Sequence, residues 1–397
     1  MIKINKNLFI SFILLMAFLW YFAYSVESNR NFISHSGSKI YPKASLIQEK
    51  LPWPHQKPNI TQEEYEDLIE NLWIINNYGQ YQASEDKSLA YFHDGLDIVL
   101  DNGTKLYAIE SGYVKSIVYD HFIIIGYTEG DEPGEGWMYA HVTNLQFQEG
   151  DYVNQGEYIA DVFFEGLPHV HLGRVYLESG SWKAYENQNF YHPDRYFYYV
   201  DTQPPVIKTP FYYFVNNTDE LIENKWPTFI RGDVDIVVGI RDPGEFAHSK
   251  IDGFGDRLCI SRIEYEISGD NTQPVYRKSF DFTKIILNNL EEFARDRVFT
   301  VYKHYKIFHP VIDSFFWDKT FSYYVITNTD GTGKFGKIDV TAQDYGWDTA
   351  AVDDSGNRIF PDGLYTIYVT VYDFIGNCTQ AKDTVIVKNK KGVKIRR

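Results

Sequence analysis

Cysteine is nearly absent: the 397 residues contain two, Cys259 and Cys378. A zinc site built from thiolates alone needs three or four, so none can form here. Both cysteines lie in the C-terminal half, where they read either as a disulfide of an exported chain or as two free, buried thiols. Concentrated basic sequence is missing too. The formal net charge is -16, and an acidic chain without a basic stripe gains nothing from a phosphate backbone, which excludes nucleic acid as a partner. The short basic end, Lys388 to Arg397, reads as a solvated tail. Tandem repeats are lacking. So is His-Glu-x-x-His, the motif that sets two metal ligands and a glutamate base on one helix.

Other features are plentiful. Lys3 and Lys6 precede an uncharged apolar run from Leu8 to Tyr24, and Ala23-Tyr24-Ser25 has the small-x-small form of a cleavage site. Residues 1–25 are therefore expected to be a cleavable signal peptide. An uncleaved membrane anchor is the alternative, since the run is near the lower length for a span. Either places the remainder outside the cytoplasm, and without a cysteine after the run no lipid can be attached there. At this length two folded domains are expected. Apolar content of 44% with 23% charged residues fits a globular chain, not a disordered one. Abundant Tyr and Phe in alternating apolar and polar stretches point to a mainly β fold.

Residues 26–79 read as a pre-domain segment with one helix. Pro52, Pro54 and Pro58 break its first part. Thr61-Gln62-Glu63-Glu64 then has the form of a capping box, followed by Tyr65, Leu68, Ile69 and Leu72 at helical spacing. Such a segment could cover a cleft as a pro-region. Residues 80–200 read as short strands and tight turns: Leu106 to Tyr119, Phe122 to Tyr127, and the glycine-punctuated decapeptide Gly150 to Ile159. Asp201-Thr202-Gln203-Pro204-Pro205 is a natural linker, because two prolines block both helix and ladder. Residues 201–390 read as an antiparallel sandwich with strands at Val234 to Ile240, Ile263 to Ile267, Tyr323 to Thr327 and Tyr365 to Tyr372. The stretch from Leu287 to Arg297 reads as a helical insertion.

Four of the 11 histidines stand in chemically suggestive contexts. In Pro168-His169-Val170-His171-Leu172, alternation along a strand puts His169 and His171 on one face, with Val170 and Leu172 on the other. Two imidazoles so placed suit a metal site, one as ligand and one just outside. His93-Asp94-Gly95-Leu96-Asp97 offers an imidazole and a carboxylate four apart, both ordinary zinc ligands, with Gly95 available for a turn. On spacing alone Asp94 could stand in for Asp97. His141 follows Tyr139-Ala140 in a strand-like context. His121, His192, His248, His304 and His309 lack partner spacing and read as ordinary surface or core residues.

Taken together, the run from His93 to Tyr176 resembles the lysostaphin/LytM-type metallopeptidases. The shared elements are His93-Asp94-Gly95-Leu96-Asp97-Ile98, Gly103 to Ala108, Gly112-Tyr113-Val114, Tyr139-Ala140-His141-Val142, Gly150 to Ile159, and Pro168-His169-Val170-His171. The resemblance implies a barrel-like antiparallel β domain of the duplicated hybrid motif type. It implies one Zn²⁺ per chain on His93, Asp97 and His171, with His141 and His169 as the catalytic pair. It further implies peptidoglycan peptides as substrate, cut in cross-links or stems, by an exported bacterial protein. Two departures border the cleft. Ala160 to Leu167 is bulkier than the family's Gly- and Thr-rich loop, and Leu172-Gly173-Arg174 replaces its Phe-Glu. A catalytically silent relative that binds wall or activates an amidase, and a peptidase of exported proteins, are the competing readings. The region after the linker lies outside the resemblance. Its Asp362 to Thr366 and Asp373 to Asn377 look like the last hairpin of immunoglobulin-like surface domains, and imply a module that binds wall or a protein partner.

Overall fold

Thr61 starts a helix because its hydroxyl accepts from Glu64 N–H while the Glu64 carboxylate accepts from Thr61 N–H at 2.7 Å, so two otherwise unpaired donors are satisfied. This helix, α1, spans Gln62–Glu70 and buries Tyr65 and Ile69. The computed structural model describes residues 50–82, 91–119, 121–130, 132–178, 181–183, 196–199, 201–222, 227–243, 258–270, 272–283, 301–303, 321–329 and 345–389. The apolar run at residues 8–24, the helical reading at 287–297 and most of the basic tail lie outside them. No helix among the described residues is long and apolar enough to cross a membrane. Strands dominate, as expected from the alternation. The chain divides into two compact units, with the change between them at residues 200–201.

The first unit contains β1 (Ile74–Asn76), β2 (Leu96–Val99), β3 (Lys105–Tyr107), β4 (Gly112–Val118), β5 (Phe122–Gly126), β6 (Gly134–Ala140), β7 (Val142–Thr143), β8 (Tyr152–Val153), β9 (Tyr158–Val162), β10 (His169–Glu178) and β11 (Ser181–Lys183). The large sheet runs in the order β1-β2-β10-β6-β5-β4-β8, with β11 paired to β10, and a small sheet runs β3-β9-β7. The stretch from Leu106 to Tyr119 is therefore two strands in two sheets. Between them, Ala108 pairs by backbone with Glu157 and Gly156 instead of continuing a ladder. The decapeptide turns at Gly150 and Gly156, whose φ values of 91° and 82° suit glycine. Its Val153 and Ile159 are fully buried.

The floor of the large sheet is apolar. Leu96 and Ile98 of β2 and Val170 and Leu172 of β10 are fully buried, each worth roughly 1.5–3 kcal/mol relative to exposure. Because side chains alternate, burying these four turns the intervening Asp97, His169 and His171 toward the opposite face.

The second unit contains β12 (Val206–Ile207), β13 (Tyr212–Val215), β14 (Leu221–Ile222), β15 (Phe229–Ile230), β16 (Asp233–Arg241), β17 (Arg262–Gly269), β18 (Val275–Asp281), β19 (Ser322–Val325), β20 (Trp347–Asp348), β21 (Gly363–Tyr372) and β22 (Cys378–Val387). One sheet runs β12-β16-β13-β14, with β19 and β20 also on β16, and the other runs β15-β22-β21-β17-β18. Asp383 of the second sheet accepts from Phe211 N–H and from the Tyr213 hydroxyl. The hairpin between β21 and β22 is closed by Asp373, whose carboxylate accepts from the N–H groups of Ile375, Gly376 and Asn377. The cysteines form no disulfide: Cys259 is buried and Cys378 is exposed, so neither reading of the pair describes both.

Candidate metal centre

Three strands meet at His171. Across the β2–β10 ladder it stands opposite Asp97, and across the β10–β6 ladder opposite Ala140. Residues directly opposed on one face have Cβ atoms about 4.5–5.5 Å apart, so register alone brings the imidazole to the carboxylate. His171 Nδ1 lies 2.9 Å from Asp97 Oδ1. His93, just upstream of β2, completes the group: its Nε2 is 2.9 Å from Asp97 Oδ1 and 3.0 Å from His171 Nδ1. Three candidate ligand atoms, from residues up to 78 positions apart, thus meet near one point, with His93 and Asp97 buried and His171 half-buried.

Each group is held from behind. Asn77 C=O lies 3.1 Å from His93 Nδ1. A carbonyl only accepts, so that nitrogen carries the proton and Nε2 presents a lone pair. Asn76 Nδ2 donates to Asp97 Oδ2 at 2.6 Å, from the position opposite Asp97 on β1. The end of the segment before residue 80 is therefore part of the site's own sheet. Asp94 Oδ1 sits 3.5 Å from His171 Nε2, behind the ring, while Asp97 faces its Nδ1. Gly95 is not in the left-handed region. Its role is close approach: a Cβ there would lie 2.5 Å from the Leu172 carbonyl oxygen and 2.8 Å from His171 Nε2.

His141 and His169 stand beside this group. His141 falls in the break between β6 and β7, at φ 61°, a left-handed conformation uncommon for residues other than glycine. Its ring centroid is 4.5 Å from that of His169 and 6.4 Å from that of His171. His169 Nδ1 donates to Leu167 C=O at 2.7 Å, which leaves Nε2 as an acceptor 3.8 Å from Asp97 Oδ2. His121, by contrast, only approaches the Val142 carbonyl, at 3.3 Å.

Burial and charge set the protonation states. Burial works to raise the Asp97 carboxyl, but electrostatic attraction to the imidazoles of His93 and His169 and bonds from His171 and His93 hold it well below the usual carboxylate range. Burial alone would lower His171; its bond to Asp97 and the charges of Asp97 and Asp94 raise it instead. His141 is driven well below the ordinary histidine value by burial and by its neighbour His169. His169 is lowered by burial against the pull of Asp97.

The arrangement sets two imidazoles and a carboxylate together, with two further imidazoles alongside, on the face of a β sheet. That is the equipment of a metal-assisted hydrolase. Residues 91–180 match the model of Peptidase family M23, and that stretch carries a domain of this peptidase family. The family is zinc-dependent. Among solved structures, the chain is similar to the catalytic domain of lysostaphin from Staphylococcus simulans at 23% identity, over 28% of this chain and 86% of that one, with a TM-score of 0.24. It is also similar to a zinc-containing peptidase from Vibrio cholerae at 18% identity, over 26% of this chain and 33% of that one, TM-score 0.22. A mutant catalytic domain of the prophage-encoded protein EnpA from Enterococcus faecalis gives 19% identity, over 30% of this chain and 85% of that one, TM-score 0.22. No curated protein sequence matches the chain.

Proposed function

We propose that the protein is an exported zinc endopeptidase that hydrolyses peptide bonds in the cross-links or stems of peptidoglycan. The observation that carries this reading is the convergence of His93 Nε2, Asp97 Oδ1 and His171 Nδ1 within 2.9–3.0 Å of one another. The donor set fits one zinc ion: two imidazole nitrogens and one carboxylate oxygen are ordinary ligands, and three protein ligands leave a position open. The carbonyl behind His93 and the carboxylate behind His171 are the partners that ligating imidazoles take on their far nitrogens. Zinc held there supplies Lewis acidity to the scissile carbonyl and activates a water.

The chain's own residues do the proton work. His169 presents an unprotonated Nε2, because its Nδ1–H is committed to Leu167 C=O. It accepts a proton from the attacking water and returns it to the leaving amine. In this reading His141, its ring 4.5 Å from that of His169, steadies the oxygen on which negative charge develops. Burial keeps both neutral before the reaction, so each has a vacant site for a proton. Asp97 keeps its charge, held by Asn76 and the imidazoles.

The second unit, residues 201–390, serves in this reading as an immunoglobulin-like module that binds wall or a protein partner. Digestion of purified peptidoglycan, with the released fragments identified by mass, tests the substrate and finds the bond. New amino and carboxyl ends within stem or bridge peptides are expected. Fragments unchanged from an untreated wall, with cleavage of an unfolded exported protein instead, would move the enzyme to protein substrates.

A further inference from the structure

The segment from Val162 to Pro168 runs past the two histidines that the reading above leaves free of metal, and it carries Phe163, Phe164 and Leu167. Both ends are pinned. Phe163 N–H donates to His141 C=O at 2.8 Å, and Leu100 N–H donates to Pro168 C=O at 3.2 Å. In the middle, Asn102 spends both ends of its amide on one residue. Its Oδ1 accepts from Phe164 N–H at 2.8 Å, and its Nδ2 donates to Phe164 C=O at 3.1 Å. Asn102 itself sits in a tight turn: Thr104 N–H returns to Asp101 C=O, and Gly103 N–H reaches Val162 C=O.

The side chain so placed is buried against the site. The Phe164 ring lies 4.5 Å from His141 at 60° and 4.8 Å from His169 at 63°, and those two imidazoles are 4.5 Å apart at 64°. Each ring meets the other two edge-on, a favourable and directional contact. His169 has a second anchor in Leu167 C=O. His141 stands on a left-handed backbone between two strands, with its ring against Phe164 and His169.

We propose that Phe164 is a positioning residue: it fixes the His141 and His169 imidazoles in their paired orientation, and Asn102 fixes Phe164. The role in turnover rests on the hydrolase reading, while the ring packing stands apart from it.

The test uses the full chain carrying Phe164→Leu, Phe164→Tyr or Asn102→Ala. Zinc content should stay at the wild-type level in all three, since none of these residues meets the ligand group. In the zinc-loaded enzyme, Phe164→Leu should lower kcat by about ten- to a hundredfold with KM little changed, as expected when reacting groups are misplaced without loss of substrate contacts. Phe164→Tyr should restore most of the rate. Asn102→Ala, which keeps the aromatic ring but removes the two bonds that hold its backbone, should lose less and in the same direction. In the zinc-free protein, the imidazole C–H resonances of His141 and His169 should move toward those of an exposed histidine in Phe164→Leu and stay in Phe164→Tyr. Unmoved resonances, or an unchanged kcat in Phe164→Leu, would overturn the proposal. A wild type that cut no peptide would sink the hydrolase reading, and the resonances would still decide the packing.

Discussion

Asn76 Nδ2 donates to Asp97 Oδ2 at 2.6 Å, while Asp97 Oδ1 faces His93 and His171 at 2.9 Å each. In the proposed centre one carboxylate therefore has an oxygen for the metal and an oxygen for its support. Removing such support from a ligand typically costs about 10–100-fold in metal affinity. Asn76→Ala should weaken zinc binding by that factor, read by competition with a chromogenic chelator, with the fold retained by circular dichroism. Unchanged affinity would mean that the ladders to β1 and β10 alone orient Asp97.

The two histidines proposed to stay free of metal, His141 and His169, should separate from the proposed ligands by experiment. His141→Ala and His169→Ala should each keep about one zinc per chain and lose about 10²–10⁴ in kcat, the range for a missing acid–base group. Burial lowers both imidazoles, so each remains neutral at a pH where a free histidine is half protonated. Activity should accordingly hold as pH falls through about 6.5 and fail only below it. A loss of rate starting well above that value would contradict the assigned neutral state.

Asp235 of β16 supplies a pH signature in the second unit. Burial pushes its carboxyl up to about 6, against about 3.9 in an unfolded chain. Below about pH 4 the acid is protonated in both states and costs nothing. Between about 4 and 6 the unfolded chain releases its proton first, so stability falls as pH rises, by up to about 3 kcal/mol once both are ionised. Asp235→Asn should therefore melt higher than wild type at pH 7.5 and at about the same temperature at pH 4, by calorimetry. Equal melting at both would show that the carboxylate is compensated.

The residues of the proposed ligand group stand out in the sequence because they form local patterns. His93 and Asp97 stand four apart, and His169 and His171 alternate on one strand above the buried Val170 and Leu172. What joins them is ladder register, Asp97 opposite His171, which a family likeness supplies and spacing alone does not. Asn76 and Asn102 carry no signal, and Phe164 stands out only as part of the bulky stretch Ala160 to Leu167. Each is an ordinary residue whose partner lies far along the chain, 21 positions for Asn76 and 62 for Asn102. Gly95 lies at a bend, in keeping with its place in the motif, and it is needed besides for the close approach of Leu172 and His171, which the sequence does not show. Leu106 to Tyr119 looked like one strand because Ala108 and Ile109 are apolar and buried, and burial does not reveal where a chain leaves its sheet.

The most direct test of the central claim joins metal content to wall digestion in the purified protein and in His171→Ala. The account predicts about one zinc per chain and release of peptide fragments from peptidoglycan for the wild type, with both lost in the variant. Wall digestion that survives His171→Ala, or a wild type that neither binds zinc nor cuts wall, would contradict it.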